Sequence, residues 1–101
     1  MGALTGVRVL DLSRVLAGPW CSQVLADLGA DVVKVERVGR GDDTRAWGPP
    51  YMKDTQGNET QEASYYQSSN RNKRSVAVDI ATEKGQEIVR ALAAESDVLI
   101  D

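Results

Sequence analysis

Four stretches of this chain hold residues able to do chemistry. The first is Ser13-Arg14-Val15-Leu16-Ala17-Gly18-Pro19, a turn between an apolar run and a helical pattern. Backbone N–H groups at a helix start can face a phosphate or a carbonyl. An ordinary strand-to-helix turn has the same composition. Gly18 stands alone there, so the dinucleotide fingerprint G-x-G-x-x-G is absent. The second is Glu36-Arg37, at the end of a β-branched run. An acidic residue at that point can hold ribose hydroxyls, and an arginine can meet a phosphate or stack on an adenine. A surface ion pair at a strand end is the plainer reading.

The third stretch is Gly39-Arg40-Gly41-Asp42-Asp43-Thr44-Arg45, a charged, glycine-rich segment. Two adjacent aspartates cannot complete an oxygen cage, and no third ligand is set by spacing, so no metal site is expected. The fourth is Asn70-Arg71-Asn72-Lys73-Arg74-Ser75. It reads either as a phosphate-binding cluster or as a basic turn that pairs with the acidic segment. Trp20, Trp47, Tyr65 and Tyr66 read as packing residues. Cys21 reads as a small buried apolar residue more than as an acidified thiol.

These stretches need elements to position them. Val7, Val9 and Leu10 mark a first strand. Helical spacing of Val24, Leu25 and Leu28 marks a helix from Trp20 to Leu28, with Pro19 in its first turn and Gly29 just past its end. Asp31–Glu36 is a second strand, which completes a βαβ unit. Residues 38–72 are polar and long for a connection, so they are expected to be functional or ordered from outside. A short helix is expected over Ala63–Ser69, with Tyr65 and Tyr66 inward. Ser75–Ile80 alternates as a third strand. Thr82 N-caps a helix whose buried face is Ile88, Val89, Leu92 and Ala93. Asp97–Ile100 is a fourth strand. The expected fold is α/β, a Rossmann-like parallel sheet of βαβ units. The chain, 1–101, reads as one domain's N-terminal part, cut at the end of a strand.

Composition narrows the function. There are 101 residues, with 15 acidic and 12 basic side chains and a net charge of −3, which argues against nucleic-acid binding. The absence of histidine removes Ser-His-Asp and Cys-His catalysis. A single cysteine excludes an internal disulfide. No run approaches a membrane span and no signal-like segment opens the chain, so a cytoplasmic location is expected.

Taken together, the motifs resemble a known family. Gly6-Val-Arg-Val-Leu-Asp-Leu-Ser-Arg-Val-Leu-Ala-Gly-Pro19 is similar to the opening of the class III CoA-transferases (CaiB/BaiF), the formyl-CoA transferase type that includes α-methylacyl-CoA racemase. The likeness continues through Leu25–Arg37, Gly41–Arg45, Asn70–Asp79 and Ser96–Asp101. It implies a CoA-binding Rossmann-like domain in a larger enzyme whose two long chains interlock as a homodimer. It also implies transfer of CoA between an acyl-CoA and a carboxylic acid. In such enzymes an aspartate attacks the thioester to give a mixed anhydride, and an enzyme-CoA thioester follows.

Carried over by position, Leu16 and Ala17 match the loop beside the CoA thiol end. Arg37 matches the contact to adenosine. Val78, Asp79, Ile80 and Ala81 match the stretch beside adenine. Acyl-CoA is then a substrate, and no tightly bound cofactor is implied. Three positions depart from formyl-CoA transferase: Arg14 stands for a histidine, Leu16 for a glutamine and Ala81 for a lysine. None of the aspartates here matches the nucleophile, so no catalytic residue is assigned and the chain alone is expected to be inactive. Two other readings stand beside this one, a racemase of the same family and a non-catalytic nucleotide-binding module.

Overall fold

A computed structural model describes residues 2–101. Four parallel strands make the main sheet: β1 (Arg8–Asp11), β2 (Asp31–Glu36), β5 (Lys73–Ala77) and β6 (Val98–Ile100). Their spatial order is β5-β2-β1-β6. The register pairs Arg8 with Asp31, Val9 with Val98 and Val32 with Lys73. Helix α1 (Ala17–Asp27) links β1 to β2, and α3 (Glu83–Ala94) links β5 to β6. This is the expected α/β sheet of βαβ units.

Side chains alternate across a strand, so each face of the sheet has its own core. Val9 and Val32 pack on Ala26 and Ala30 below α1. Leu10, Val35 and Val78 form the opposite core, with Val89 and Leu92 of α3 against it. Each such valine or leucine fully buried stabilises the fold by about 1.5–3 kcal/mol. Helix α1 ends where expected. Gly29 is left-handed (φ +105), and the Gly29 and Ala30 N–H groups return to the carbonyls of Ala26 and Leu25.

Several boundaries differ from the sequence reading. Helix α1 starts at Ala17 rather than Trp20. Pro19 allows this, because N–H groups in a first turn have no helical partner. Val24 and Leu28 lie exposed, and the buried residues of α1 are Pro19, Ser22, Gln23 and Ala26. Polar groups beneath the helix explain the reversal. The Ser22 hydroxyl donates to Asp11. Gln23 donates to the Ser68 carbonyl at 3.0 Å and accepts the Arg71 N–H at 3.0 Å. In α3, Val89 and Leu92 are half-buried, whereas Ile88 and Ala93 lie outward. The third strand of the main sheet runs Lys73–Ala77 rather than Ser75–Ile80, so Val78, Asp79 and Ile80 lie in the turn beyond its end. It starts two residues early because Lys73 pairs with Val32.

The segment 38–72 is ordered from within the chain. It holds a short 3-10 turn (Asp43–Ala46), an antiparallel hairpin of β3 (Tyr51–Lys53) and β4 (Glu59–Ala63), and α2 (Ser64–Ser68). Tyr66 is buried as expected. Tyr65 is half-buried, and its ring meets Trp47 edge-on at 5.2 Å. Cys21 is free and exposed, contrary to the buried reading. Among the described residues no helix is long and apolar enough to cross a membrane.

Candidate functional site

The sheet face that carries Val9 and Val32 turns polar toward the carboxyl ends of the strands. Asp11 follows on β1, Lys34 and Glu36 on β2, and Lys73 and Ser75 on β5. Segment 38–72 covers them. Lys34 is 1% and Asp42 0% exposed at the side chain, with Nζ to Oδ2 at 2.8 Å. Asn70 Oδ1 accepts from Lys34 at 3.0 Å and from Lys73 at 2.9 Å. Lys73 also donates to the carbonyls of Pro19 and Ser69 and lies 3.5 Å from Asp11. Among the described residues, every buried polar side-chain atom has a partner. Such a network fixes one arrangement, because any lost partner leaves a costly orphan.

Glu36 is the centre of a second cluster. Arg45 donates to its two carboxylate oxygens at 2.7 and 2.8 Å. The Ser75 hydroxyl, the Asp42 N–H and the Tyr66 hydroxyl donate as well. Burial pushes the Glu36 carboxyl up, but Arg45, Ser75 and the Asp42 N–H outweigh it and bring it down to about 2. Burial also works against charge on Asp42, and Lys34 and Thr44 overcome it, so its carboxyl lies below the usual range. Lys73 is lowered to about 8, mainly by burial. Burial raises the Tyr66 phenol. The Tyr66 ring lies under Arg45 at 3.9 Å.

The basic cluster is paired within the chain. Arg71 and Asn72 bind Asp27, and Arg74 binds Asp31. These partners are not the acidic segment that the sequence reading named. Lys73 lies inward, on Asp11. Asp42 binds Lys34, while Asp43 takes Arg37 and lies 3.7 Å from Arg14. Among the described residues no group of three or more potential ligands is placed to hold a metal.

Beyond this network lies an open cavity of about 600 Å³. Arg37, Val78, Asp79, Ile80 and Ala81 all line it, five of the seven residues singled out from sequence. Arg14 and Asp101 are also on its wall. Leu16 and Ala17 are not among its lining residues and are exposed at the start of α1. Leu12, Val35 and Val78 make part of the wall apolar, and Ile80 is 55% exposed beside it. Arg37 is held from behind, with Nε donating to the Gly41 carbonyl at 3.3 Å. Lys34 and Asp42, which spacing did not flag as a pair, also reach this wall. The available signal was a lysine inside a β-branched strand of a parallel sheet, where apolar runs are the rule.

An open parallel sheet of βαβ units with a cavity at its strand ends is a Rossmann-like α/β fold, the class in which such clefts hold ligands. The family is more specific. This chain belongs to CoA-transferase family III, whose family model matches residues 4–101. It is 53% identical over 98 residues to the succinate–glutarate CoA-transferase of Agrobacterium fabrum, covering 97% of this chain and 24% of that protein. It is 53% identical over 98 residues to the succinyl-CoA:glutarate CoA-transferase of Homo sapiens, covering 97% of this chain and 21% of that protein. The crystal structure of a CAIB/BAIF family protein from Brucella suis superposes with a TM-score of 0.86 at 51% identity, covering 97% of this chain and 25% of that one. The chain thus spans about a quarter of the length of these relatives.

Proposed function

We propose that this chain is the N-terminal, CoA-binding part of an enzyme that moves CoA between an acyl-CoA and a carboxylic acid. The observation that carries this reading is the cavity at the strand ends, lined by Arg37 and by Val78–Ala81. The adenosine part of CoA lies there. Arg37 supplies a planar cation for the adenine or a phosphate. Ile80 and Val78 supply apolar surface for the ring. Leu16 and Ala17 flank the thiol end, outside the cavity. The chemistry proceeds through an aspartyl mixed anhydride and an enzyme-CoA thioester, with the nucleophile supplied by another part of the full-length protein. The full-length protein is an interlocked homodimer.

The names of the relatives point to succinyl-CoA as donor and a short dicarboxylate such as glutarate as acceptor. Leu16 has no side-chain donor, which fits substrates other than formate and oxalate. The nucleotide-module reading is weakened at Glu36. A carboxylate already accepting from Arg45, Ser75, Tyr66 and a backbone N–H has little left for ribose hydroxyls.

The test is a transfer assay on the full-length protein. Formation of glutaryl-CoA from succinyl-CoA and glutarate, without loss of chirality in a 2-methylacyl-CoA, is the expected result. Scrambling of the chiral centre without transfer would identify a racemase. Binding of NAD without binding of CoA would leave only a nucleotide module.

A further inference from the structure

Asp42 and Asp43 tie the wall of the cavity to Val15 in the loop after β1. Val15 has φ +75. A β-branched residue rarely adopts that left-handed conformation, because its Cβ crowds the backbone. Its N–H donates to both carboxylate oxygens of Asp42, at 3.4 and 3.3 Å. Asp42 is itself immobilised. Lys34 donates to it at 2.8 Å, the Thr44 N–H at 3.0 Å and the Thr44 hydroxyl at 2.9 Å. The N–H of Asp42 is anchored on Glu36 at 2.8 Å. The next residue, Asp43, accepts from Arg37 and lies 3.7 Å from Arg14. The two aspartates therefore join the loop after β1 to the loop after β2.

We infer that Asp42 is a positioning residue: its buried carboxylate clamps Val15 in the left-handed conformation and so sets Leu16 and Ala17 relative to Arg37. The inference rests on the CoA reading, which gives these loops the two ends of one ligand. Asp42 touches no reacting atom. Its side chain is 0% exposed, so its loss misplaces the thiol end while the exposed adenosine contacts, Arg37 and Ile80, stay in place. Turnover therefore suffers more than binding.

The test uses the full-length enzyme with succinyl-CoA and glutarate. Asp42→Asn keeps the shape and removes the charge. Its single acceptor oxygen stays with Lys34, the shorter contact at 2.8 Å, and its NH2 group then faces the Thr44 and Val15 N–H groups. The substitution is expected to lower kcat by about 100-fold, the scale of a misplacement of roughly 1 Å. KM for succinyl-CoA stays within about threefold, the pattern of an interaction made only in the transition state. Glycine takes the left-handed conformation without help. Val15→Gly added to Asp42→Asn is therefore expected to return kcat to within about threefold of Val15→Gly alone, a strong coupling between two contacting sites.

A merely structural Asp42 gives a different result. The thermal midpoint falls and glycine rescues nothing, because glycine does not replace the partner of Lys34. If Asp42→Asn does not fold, Lys34→Met is added to remove both buried charges together, a change such sites often tolerate. The same cycle with Val15→Gly is then run in that background. Amide exchange at Val15 gives a readout independent of turnover: slow in the unchanged protein and fast in Asp42→Asn. Unchanged kcat in Asp42→Asn, a loss that glycine does not rescue, or fast exchange in the unchanged protein overturns the inference. Absence of any CoA transfer by the unchanged enzyme defeats the CoA reading instead, and amide exchange then decides the clamp alone.

Discussion

Glu36 shows how one side chain can look functional and be spent on the fold. Its place at the end of β2 is where a ribose contact is expected, yet five donors reach its carboxylate from Arg45, Ser75, Tyr66 and Asp42. Sequence spacing reveals the strand end but not Arg45, which arrives through the 3-10 turn. Arg45→Ala removes both guanidinium bonds from a carboxylate that is 4% exposed. Breaking a fully buried pair costs about 3–5 kcal/mol; here the guanidinium is 37% exposed, so about 2 kcal/mol is expected. A clear fall in the thermal midpoint would show it. An unchanged midpoint would mean that Glu36 finds other donors. Arg37 was legible for a different reason. It is the residue next to a strand end, and strand ends carry ligands in this architecture.

At the scale of elements, periodicity located the four strands of the main sheet and both long helices, because their apolar spacing is strong. It misassigned the inward face of α1. Val24 and Leu28 carry the apolar pattern, but Ser22 and Gln23 meet polar groups that only the folded chain brings there. The hairpin β3–β4 was missed because Lys53, Glu59, Gln61 and Glu62 dilute its alternation. Its turn had a readable signal. Asp54 Oδ1 accepts from the N–H groups of Gln56 and Asn58, and Gly57 takes φ +83. Helix α3 starts as the sequence predicts, with Thr82 accepting from the Gly85 N–H at 3.0 Å. Gly85 is a close approach: a Cβ there would overlap the Asp79 carbonyl. Gly85→Ala is therefore expected to destabilise by about 1–3 kcal/mol. It should also disturb Asp79–Ala81 and weaken CoA binding. A neutral effect on both would mean that the turn before α3 shifts freely.

At the scale of the whole molecule, buried charge sets the pH response. Glu36 falls from its ordinary 4.5 to about 2 in the fold, and Asp42 is lowered too. The unfolded chain takes up protons first, so their stabilisation is full above about pH 4.5 and is lost as pH falls toward 2. Lys73 acts at the other end. Its folded value is about 8 against an ordinary 10.5, so the unfolded chain holds the extra proton between them. Its contribution to stability therefore grows as pH rises from about 8. Tyr66, raised in the fold, begins to oppose this above pH 10, where the unfolded phenol ionises. Unfolding measured from pH 7 to 10 is expected to show a rising component that Lys73→Met abolishes. A flat profile in the unchanged protein would contradict the buried position of Lys73.

In the proposed function CoA occupies the strand-end cavity against Arg37 and Val78–Ala81. The most direct measurement is calorimetric titration of the full-length protein with CoA, in the unchanged form and as Arg37→Ala. CoA is expected to bind the unchanged protein, and Arg37→Ala is expected to weaken it about tenfold, the loss of one charged or stacked contact. NAD is expected not to compete. An unchanged affinity in Arg37→Ala, or binding of NAD in place of CoA, would rule out this placement of CoA.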